Sequence, residues 1–462
     1  MRTKSLLILL LIMVVVLPAG FKFEGSSVPE VSALTLPADS SGRLIIGFKD
    51  LTSKFPIQDF LAKYGGGQVA GMNYVLRFAV VVPGNAASFM RLALQDPRVS
   101  YIEPDGVVYA AFTPNDPSFS SQWGPPAIQA TGAWDITLGL KSVIVAVVDT
   151  GVQYDHPDLS SNMWKNSDGT YGCNYVNFYG TYSSSCGNTN VKDDNGHGTH
   201  VAGIVAATIN NGIGVAGISQ SSIMAVKVLD YRGSGYWSWI AYGIQWATDH
   251  GAKIINLSLA GSSASQTLQN AVTYAYGGGV LLVAAAGNSG GTIQYPASYD
   301  QVIAVTAVDQ NSNIASFSSR GSKAELTAPG VSVYSTYYGS RYTSMEGTSM
   351  AAPFVSGVAA LVWSVDSTIS RDAVRSLLDS TADDLGSPGR DSYYGYGRVN
   401  AYGAVLAAGG TPPPPDFSLT LSTSALTVTT GKSSDVGVQV KGSGGFGDPV
   451  TLSTEGLPAE VT

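Results

Sequence analysis

The stretch Val143-Ile-Val-Ala-Val-Val-Asp149-Thr-Gly-Val152 decides the fold class of this 462-residue chain. Its six consecutive apolar residues lack polar alternation, which predicts a strand buried on both faces of a sheet. Comparable apolar runs occupy residues 223–228, 254–259, 280–283 and 302–305. Helical patterns at residues 237–247 and 265–276 supply the crossovers that parallel strands need. The sequence therefore predicts a doubly wound α/β core with a mostly parallel sheet flanked by helices.

Asp149 directly follows the first of these strands. Ligands and catalytic groups collect at the carboxyl ends of strands in open parallel sheets. An aspartate at a strand end is also a common helix cap or loop organiser. On its own, Asp149 is therefore only a candidate.

Two further motifs carry chemistry. Asp194-Asn-Gly-His197-Gly-Thr-His200 holds two of the four histidines and opens a helix; it could be a capped helix start or half of a metal site, but no HExxH pattern accompanies it. Gly347-Thr-Ser349-Met-Ala-Ala-Pro353 places a serine at a helix N-terminus, where free amides favour an oxyanion. Serine is also an ordinary cap residue. The absence of a GxSxG elbow disfavours an α/β-hydrolase.

Five blocks, DTGV, NGHGTHVAG, NLSLAG, AAAGNSG and GTSMAAP, occur in this order between residues 149 and 353. With them, residues 112–408 resemble the subtilisin-like serine proteases (subtilases), in particular the thermitase branch. The resemblance implies that Ser349 is the nucleophile, His197 the general base and Asp149 its orienting carboxylate. It also implies that Asn288 donates to the oxyanion. The expected activity is that of a serine endopeptidase acting on proteins through an acyl-enzyme.

The same resemblance assigns the substrate-binding residues. The peptide would bind as an added strand between two segments of the cleft. Small and neutral walls of the S1 pocket predict broad specificity with an apolar P1 preference. The implied residues are Gly233, Ser234 and Gly235 on one edge, Ser258, Leu259 and Ala260 on the other, Ala285, Ala286, Gly287 and Gln294 around S1, and Asn195 and Leu229 beside S2.

The resemblance further implies a structural Ca²⁺ site of loop oxygens, the ligands this hard cation prefers. Its side-chain ligands would be Asp116, Asp158 and Asn211, and its backbone ligands Thr208, Ile213 and Val215. Asp158 could instead be only a cap. The second calcium loop of the thermitase branch is not recognisable, and the segment between the two cysteines stands in its place.

Cys173 and Cys186 are the only cysteines of the chain. In an exported protein so close a pair predicts a disulfide, with two free thiols as the alternative. A zinc site would need further cysteine or histidine ligands nearby.

The N-terminus predicts export. Arg2 and Lys4 precede an apolar run over residues 6–17, which is typical of a signal peptide and short for a bilayer span. We expect a secreted protein without a stable membrane span. Charged residues make up only 13% of the chain and the net charge is −8, which argues against nucleic acid as a partner because phosphate binding needs a basic surface.

The predicted domains are a signal peptide (1–20), a propeptide (21–111), the peptidase domain (112–408), a Pro-rich linker (409–416) and part of a β-sandwich module (417–462). Residues 43–109 are expected to form the inhibitory and chaperoning core of the propeptide, with a β-α-β-β-α-β-like order that includes a strand over 75–81. Self-cleavage is expected near Ala110 or Ala111. We expect the enzyme to act as a monomer.

Three other interpretations compete with this one. A catalytically silent subtilase could serve as a binding or cell-surface module. The acid-acting sedolisins share the fold, but they use Glu where this chain has His197, so the sequence disfavours them. The C-terminal β segment could bind polysaccharide, cell wall or protein, and no sequence feature names its ligand.

Overall fold

This computed structural model describes residues 43–105, 112–181, 186 and 188–411, and the backbone of 416–421 and 438–443. The predicted signal peptide and the expected self-cleavage sites lie outside the described residues. Contacts divide the chain into two compact units, Met1–Val108 and Tyr109–Thr462. Each unit is described separately.

The first unit is a four-stranded antiparallel sheet with two helices. Its elements are β1 (Leu44–Phe48), α1 (Ile57–Lys63), β2 (Gly67–Asn73), β3 (Phe78–Pro83), α2 (Ala86–Ala93) and β4 (Val99–Pro104). The strand order is β2-β3-β1-β4. Phe48, Phe60 and Phe89 are buried in one cluster, so this unit has an apolar core of its own.

The strand predicted over residues 75–81 is shifted in the structure. Residues 74–77 form the turn that joins β2 to β3. Asn73 Oδ1 accepts hydrogen bonds from the amides of Val75 (3.1 Å) and Leu76 (2.9 Å). Arg77 adopts a positive φ of 57°. This local asparagine turn outweighs the β propensity of the two apolar residues.

The second unit is built on a seven-stranded sheet in the order β11-β10-β9-β8-β5-β7-β6, and every neighbouring pair is parallel. The strands of the sheet are β5 (Ile144–Asp149), β6 (Gly172–Asn174), β7 (Ser222–Lys227), β8 (Ile254–Leu257), β9 (Leu281–Ala285), β10 (Val302–Val308) and β11 (Leu326–Pro329). A hairpin of β12 (Val333–Tyr337) and β13 (Arg341–Met345) follows.

Helices cover both faces of this sheet. They are α3 (Gly124–Ala127), α4 (Ala130–Trp134), α5 (His197–Ala206), α6 (Trp237–Asp249), α7 (Gln266–Gly277), α8 (Thr348–Val365), α9 (Arg371–Ser380) and α10 (Ala401–Ala407). Along β5, Val145 and Val147 belong to the core beneath α5 and α8, whereas Ala146 and Val148 belong to the core beneath α6 and α7. The predicted doubly wound α/β fold is confirmed.

Strand β5 lies at the point where the connections change direction. The strands that directly follow it in sequence, β6 and β7, lie on one side of it, and β8 to β11 continue on the other. Ligand sites in open α/β sheets form at such a switch point, beyond the carboxyl ends of the strands. The fold therefore places Asp149, the last residue of β5, where a reaction site is expected.

Two strands close the described chain: β14 (Asp416–Leu421) and β15 (Val438–Ser443) form an antiparallel pair. Residues 422–437 and 444–462 of the predicted β module and the prolines 412–415 lie outside the described residues. Among the described helices, α8 is long and apolar enough to span a bilayer, and most of it is buried within the protein.

Candidate active site

Helix α5 begins at His197. The backbone amides of its first three residues donate hydrogen bonds to polar side chains rather than to backbone carbonyl groups. Asn195 Oδ1 accepts from the His197 amide (3.2 Å), Thr150 Oγ1 from the next amide (2.9 Å) and Asp193 Oδ2 from the third (2.9 Å). The first amides of a helix have no partner inside the helix, so these contacts fix where the helix starts. They also fix the position of His197 as its first residue.

The His197 ring lies against the end of β5. Its Nδ1 is 2.7 Å from Asp149 Oδ1, which also accepts from the Thr150 amide at 2.7 Å. Asp149 is fully buried, and its Oδ2 has no hydrogen-bond partner among the described residues. A Cβ at Gly198 would lie 2.1 Å from the Gly151 carbonyl oxygen, so glycine is needed for the helix to approach the strand this closely.

The two histidines of this helix have opposite electrostatic environments. Burial opposes a charge on His197, but the charge and hydrogen bond of Asp149 outweigh it and raise the pKa of His197. Burial lowers the pKa of His200 to about 4, and its Nε2 lies 3.0 Å from the Val333 carbonyl oxygen. His197 is therefore the histidine prepared to accept a proton, while His200 stays neutral and packs against the β12–β13 hairpin.

Ser349 is the second residue of α8. Pro353 has no amide proton, so it leaves the Ser349 carbonyl without its usual helical donor. Ser258 Oγ donates to that carbonyl instead (2.7 Å), and Ser349 Oγ donates to the Ser258 carbonyl (3.2 Å). Ser349 and His197 line the same cleft, but their side chains are not hydrogen-bonded to each other in this structure.

Asn288 follows strand β9 through Gly287. Its Oδ1 accepts from both the amide (2.9 Å) and the hydroxyl (2.8 Å) of Thr348, which leaves its amide group available as a donor. A Cβ on Gly347 would lie 3.1 Å from Asn288 Nδ2 and 3.6 Å from the Ser349 backbone nitrogen. Gly347 has a φ of 148°, and its missing side chain keeps open the space between two potential oxyanion donors.

An open cleft of about 680 Å³ contains the candidate nucleophile and base. It brings together His197 and Ser349 with the residues predicted for both substrate edges and for S2. These are Asn195, Leu229, Gly233, Ser234, Gly235, Ser258, Leu259 and Ala260.

The residues predicted around S1 are not among those that line this cleft; Ala285 is the last residue of β9, and Ala286 and Gly287 follow it. Ala285, Ala286 and Gly287 are buried, and Gln294 is half-buried. The Gln294 amide donates to the Ala286 carbonyl (2.9 Å), and its side chain packs over Gly287.

The predicted calcium ligands meet at the other end of α5, where the loop after the helix contacts residues 115–118. Asp158 Oδ1 accepts from Asn211 Nδ2 (2.6 Å), and Asp158 Oδ2 accepts from the Val215 amide (2.9 Å). Asp116 Oδ2 accepts from the Asn210 amide at 2.9 Å. The Thr208 amide donates to the Asp158 carbonyl (2.8 Å), and the Ile213 amide donates to Asn211 Oδ1 (2.9 Å).

This cluster contains carboxylate and amide oxygens, which are the ligand types that a hard cation prefers. Asp116 Oδ1 is buried without a hydrogen-bond partner among the described residues, and no described residue forms an ion pair with Asp116 or Asp158. Burial raises the pKa of Asp116, and burial together with the Asp116 charge raises the pKa of Asp158 to about 6. Two buried carboxylates without a basic partner among the described residues, one of them with an unpaired oxygen, fit Ca²⁺, which is bound by carboxylate and carbonyl oxygens.

The predicted disulfide between Cys173 and Cys186 is present, with a Cα–Cα distance of 5.5 Å. Cys173 belongs to the edge strand β6 and is buried. The bridge therefore ties the segment that precedes the active-site turn to the sheet.

Several residues of this region could not be identified from the sequence. Arg232, Tyr236 and Trp237 also line the cleft. They flank the predicted substrate edge Gly233–Gly235 in sequence, and this proximity could have indicated them. Asp193 was missed because nothing in the sequence separates it from Asp194. Tyr342, whose ring meets His156 edge-on at 5.4 Å and whose hydroxyl hydrogen-bonds Asp158, comes from a hairpin distant in sequence.

Comparisons with known proteins agree with this geometry. The Subtilase family model matches residues 140–397. The chain is 47% identical over 297 residues to thermitase of Thermoactinomyces vulgaris, covering 64% of this chain and 99% of that protein. It is 41% identical over 368 residues to the thermophilic serine proteinase of Bacillus sp. (strain AK1), covering 79% and 87%. It is 48% identical over 289 residues to subtilisin DY of Bacillus licheniformis, covering 61% and 98%.

The chain therefore belongs to the subtilase family. It is a subtilisin-like serine endopeptidase whose substrates are proteins, and its similarity to thermitase supports the thermitase branch. The family and the enzyme class predicted from the sequence are confirmed.

Proposed function

We propose that this protein cleaves internal peptide bonds through an acyl-enzyme, with Ser349 as nucleophile, His197 as general base and Asp149 as the carboxylate that orients the base. The observation that carries the proposal is the 2.7 Å contact between His197 Nδ1 and Asp149 Oδ1, in a cleft that also contains Ser349. A carboxylate on Nδ1 holds that nitrogen as the donor and leaves Nε2 free to accept the serine proton.

The reaction begins when Ser349 Oγ turns from the Ser258 carbonyl towards His197. Catalytic hydrogen bonds are often long or misaligned without substrate and tighten in the complex. Ser349 Oγ then attacks the carbonyl carbon as His197 takes its proton. The imidazolium next gives that proton to the leaving amine, and a water molecule hydrolyses the ester by the same route.

Asn288 Nδ2 and the Ser349 amide would stabilise the negative oxygen of the tetrahedral intermediates. Both donors border the space left open by Gly347. The position of Ser349 in the first turn of α8 adds the positive end of the helix dipole.

The substrate would lie as an extended strand between the Gly233–Gly235 segment and the Ser258–Ala260 segment, which face the same cleft. The small residues Ala285, Ala286 and Gly287, with neutral Gln294, would form S1. These walls favour apolar P1 side chains and a broad range of protein substrates.

The protein would be a secreted zymogen. Residues 1–20 would direct export, residues 21–111 would inhibit and assist folding, and residues 112–408 would form the mature peptidase domain. A linker over 409–416 would lead to a β module over 417–462. The separate core of residues 43–105 supports an independently organised propeptide, and a relative at 44% identity is named a halolysin-like extracellular serine protease.

Ca²⁺ would be held by Asp116, Asp158 and Asn211 with the carbonyl groups of Thr208, Ile213 and Val215. When bound, it would supply structural stabilisation rather than chemistry, since the cluster lies at the end of α5 opposite His197. Its charge would offset the two buried carboxylates.

The proposal is tested by expressing residues 28–462 with calcium and following band sizes over time. We expect the wild type and the surface control Ser322→Ala to release the propeptide and to hydrolyse casein. Ser349→Ala should stay full length and inactive. Maturation of all three proteins alike, or no casein cleavage by wild type freed of its propeptide, would replace this proposal with the catalytically silent binding module.

A further inference from the structure

We propose that Asp193 is a positioning residue of the hydrolytic site: its buried carboxylate orders the turn that presents His197. This inference rests on the proposed role of His197 as the base. It concerns a residue outside the Asp149–His197–Ser349 set.

Asp193 is 6% exposed and accepts five hydrogen bonds. Its Oδ1 accepts from Thr150 Oγ1 (2.9 Å), the Asn195 amide (3.0 Å) and the Gly196 amide (2.9 Å). Its Oδ2 accepts from the amide (2.9 Å) and hydroxyl (2.6 Å) of Thr199. Charged acceptors make stronger hydrogen bonds than neutral ones.

These five donors belong to three different segments. Thr150 follows Asp149 at the end of β5, Asn195 and Gly196 form the turn, and Thr199 lies in the first turn of α5. One carboxylate therefore joins the strand that carries Asp149 to the helix that carries His197. Displacing a reacting group by about 1 Å can cost roughly 100-fold in rate, so this junction matters for turnover.

The neighbouring carboxylate of Asp194 has a different environment. Its side chain is 53% exposed and pairs with Lys227 Nζ at 2.7 Å. Lys227 also donates to the carbonyl groups of Thr150 (2.5 Å) and Leu229 (3.1 Å). Asp194 is therefore a matched control: an adjacent carboxylate whose charge is already compensated and partly solvated.

The charge of Asp193 also bears on the protonation of His197. The groups that face this imidazole are Asp149 from β5, Asp193 from the turn and His200 one turn further along α5. Lys227 of β7 forms an ion pair with Asp194, so its positive charge offsets the other carboxylate of this turn. Burial works against the imidazolium, whereas Asp149 and then Asp193 favour it and raise the pKa of His197.

The test compares wild type, Asp193→Asn, Thr199→Val and Asp194→Asn. Each is expressed as the full chain and is measured after its propeptide has been released. A fluorophosphonate first counts the molecules with a reactive serine, so that activity is expressed per competent site. The pH dependence of kcat/KM is then measured for each variant. Ser349→Ala, which should take no label, serves as the blank.

Asp193→Asn should lower kcat by about 10- to 100-fold per labelled site and move the acid limb of kcat/KM to lower pH. Thr199→Val removes one donor to Asp193 together with the acceptor of the Gln153 amide, and it keeps the charge of Asp193, so it should lower kcat without moving the limb. Asp194→Asn should change neither. If Asp193→Asn yields too little folded protein, Thr199→Val tests the positioning role by itself.

Wild-type kcat and an unmoved limb in labelled Asp193→Asn, or wild-type kcat in Thr199→Val, would overturn the inference and leave the proposed function intact. A wild-type protein that takes no label at Ser349 would instead overturn the proposed function, and this inference with it.

Discussion

The two ends of helix α5 are held in different ways. At its N-terminus, the turn of residues 193–196 has a buried carboxylate, Asp193, that receives five protein donors. At its C-terminus, Asp116 and Asp158 are buried with one oxygen unpaired and no basic partner among the described residues. A helix C-terminus carries partial negative charge, so a cation bound beside these carboxylates would be favoured. The turn before His197 is therefore held by the protein's own donors around Asp193, whereas the two carboxylates at the other end fit the proposed Ca²⁺ site.

The largest expected loss of activity follows from replacing the reacting groups near the N-terminus of α5. Ser349→Ala and the double variant Ser349→Ala/His197→Ala should each lose about 10⁶ in kcat, because the residues act as one unit. Casein or peptide hydrolysis measures the loss. A double variant far less active than the single one would show that the two residues do not act together. The stabilisation by calcium should be unchanged in both.

Loss of an oxyanion donor should have an intermediate effect. Asn288→Ala should lower kcat by about 10²–10³ with little change in KM, a magnitude taken from a subtilisin. The matched variant Ser289→Ala changes the next, also exposed, residue and should retain activity. A rise in KM at constant kcat would show that Asn288 binds the ground state instead.

Calcium removal tests the C-terminal end. In Ser349→Ala, which cannot digest itself, excess EDTA should lower the melting temperature by roughly 10 °C, as expected for an ion held well above its dissociation constant. In the same Ser349→Ala background, Asp158→Asn should have a lower melting temperature, and calcium should raise that temperature only slightly. Asp168→Asn, a surface carboxylate, should respond like the parent. Equal calcium responses in all three would place the ion elsewhere.

The pH dependence is the smallest expected effect. Hydrolysis needs neutral His197, and a raised pKa keeps the ring protonated to higher pH. The acid limb of kcat/KM should therefore lie above the ordinary histidine value of about 6.5. His200, whose pKa is lowered to about 4, should add no limb near neutrality. A limb at or below the ordinary value would contradict the assigned electrostatics.

Much of the fold could be predicted because uninterrupted apolar runs such as the one ending at Asp149 have few structural alternatives. Edge strands β6 and β11 were missed since they are short and not continuously apolar. The 75–81 strand was misplaced because a side-chain hydrogen bond from Asn73 decides the turn.

The site could be predicted only as a set of motifs. The order of Asp149, His197 and Ser349 and the family resemblance name the candidate reacting groups. They do not distinguish Asp193 from Asp194, because the two carboxylates differ only in burial and partners. Nor do they show Tyr342 beside Asp158, a contact made by tertiary packing.

In the proposed mechanism His197, oriented by Asp149, activates Ser349. The most direct measurement is the rate and position of fluorophosphonate labelling in wild type, Asp149→Asn and His197→Ala, with the propeptide of all three removed by an added metalloprotease and the adduct mapped by mass spectrometry. We expect one adduct, on Ser349, formed rapidly in the wild type and slower by orders of magnitude in both variants. An adduct on another residue, or equal rates in the three proteins, would contradict this mechanism.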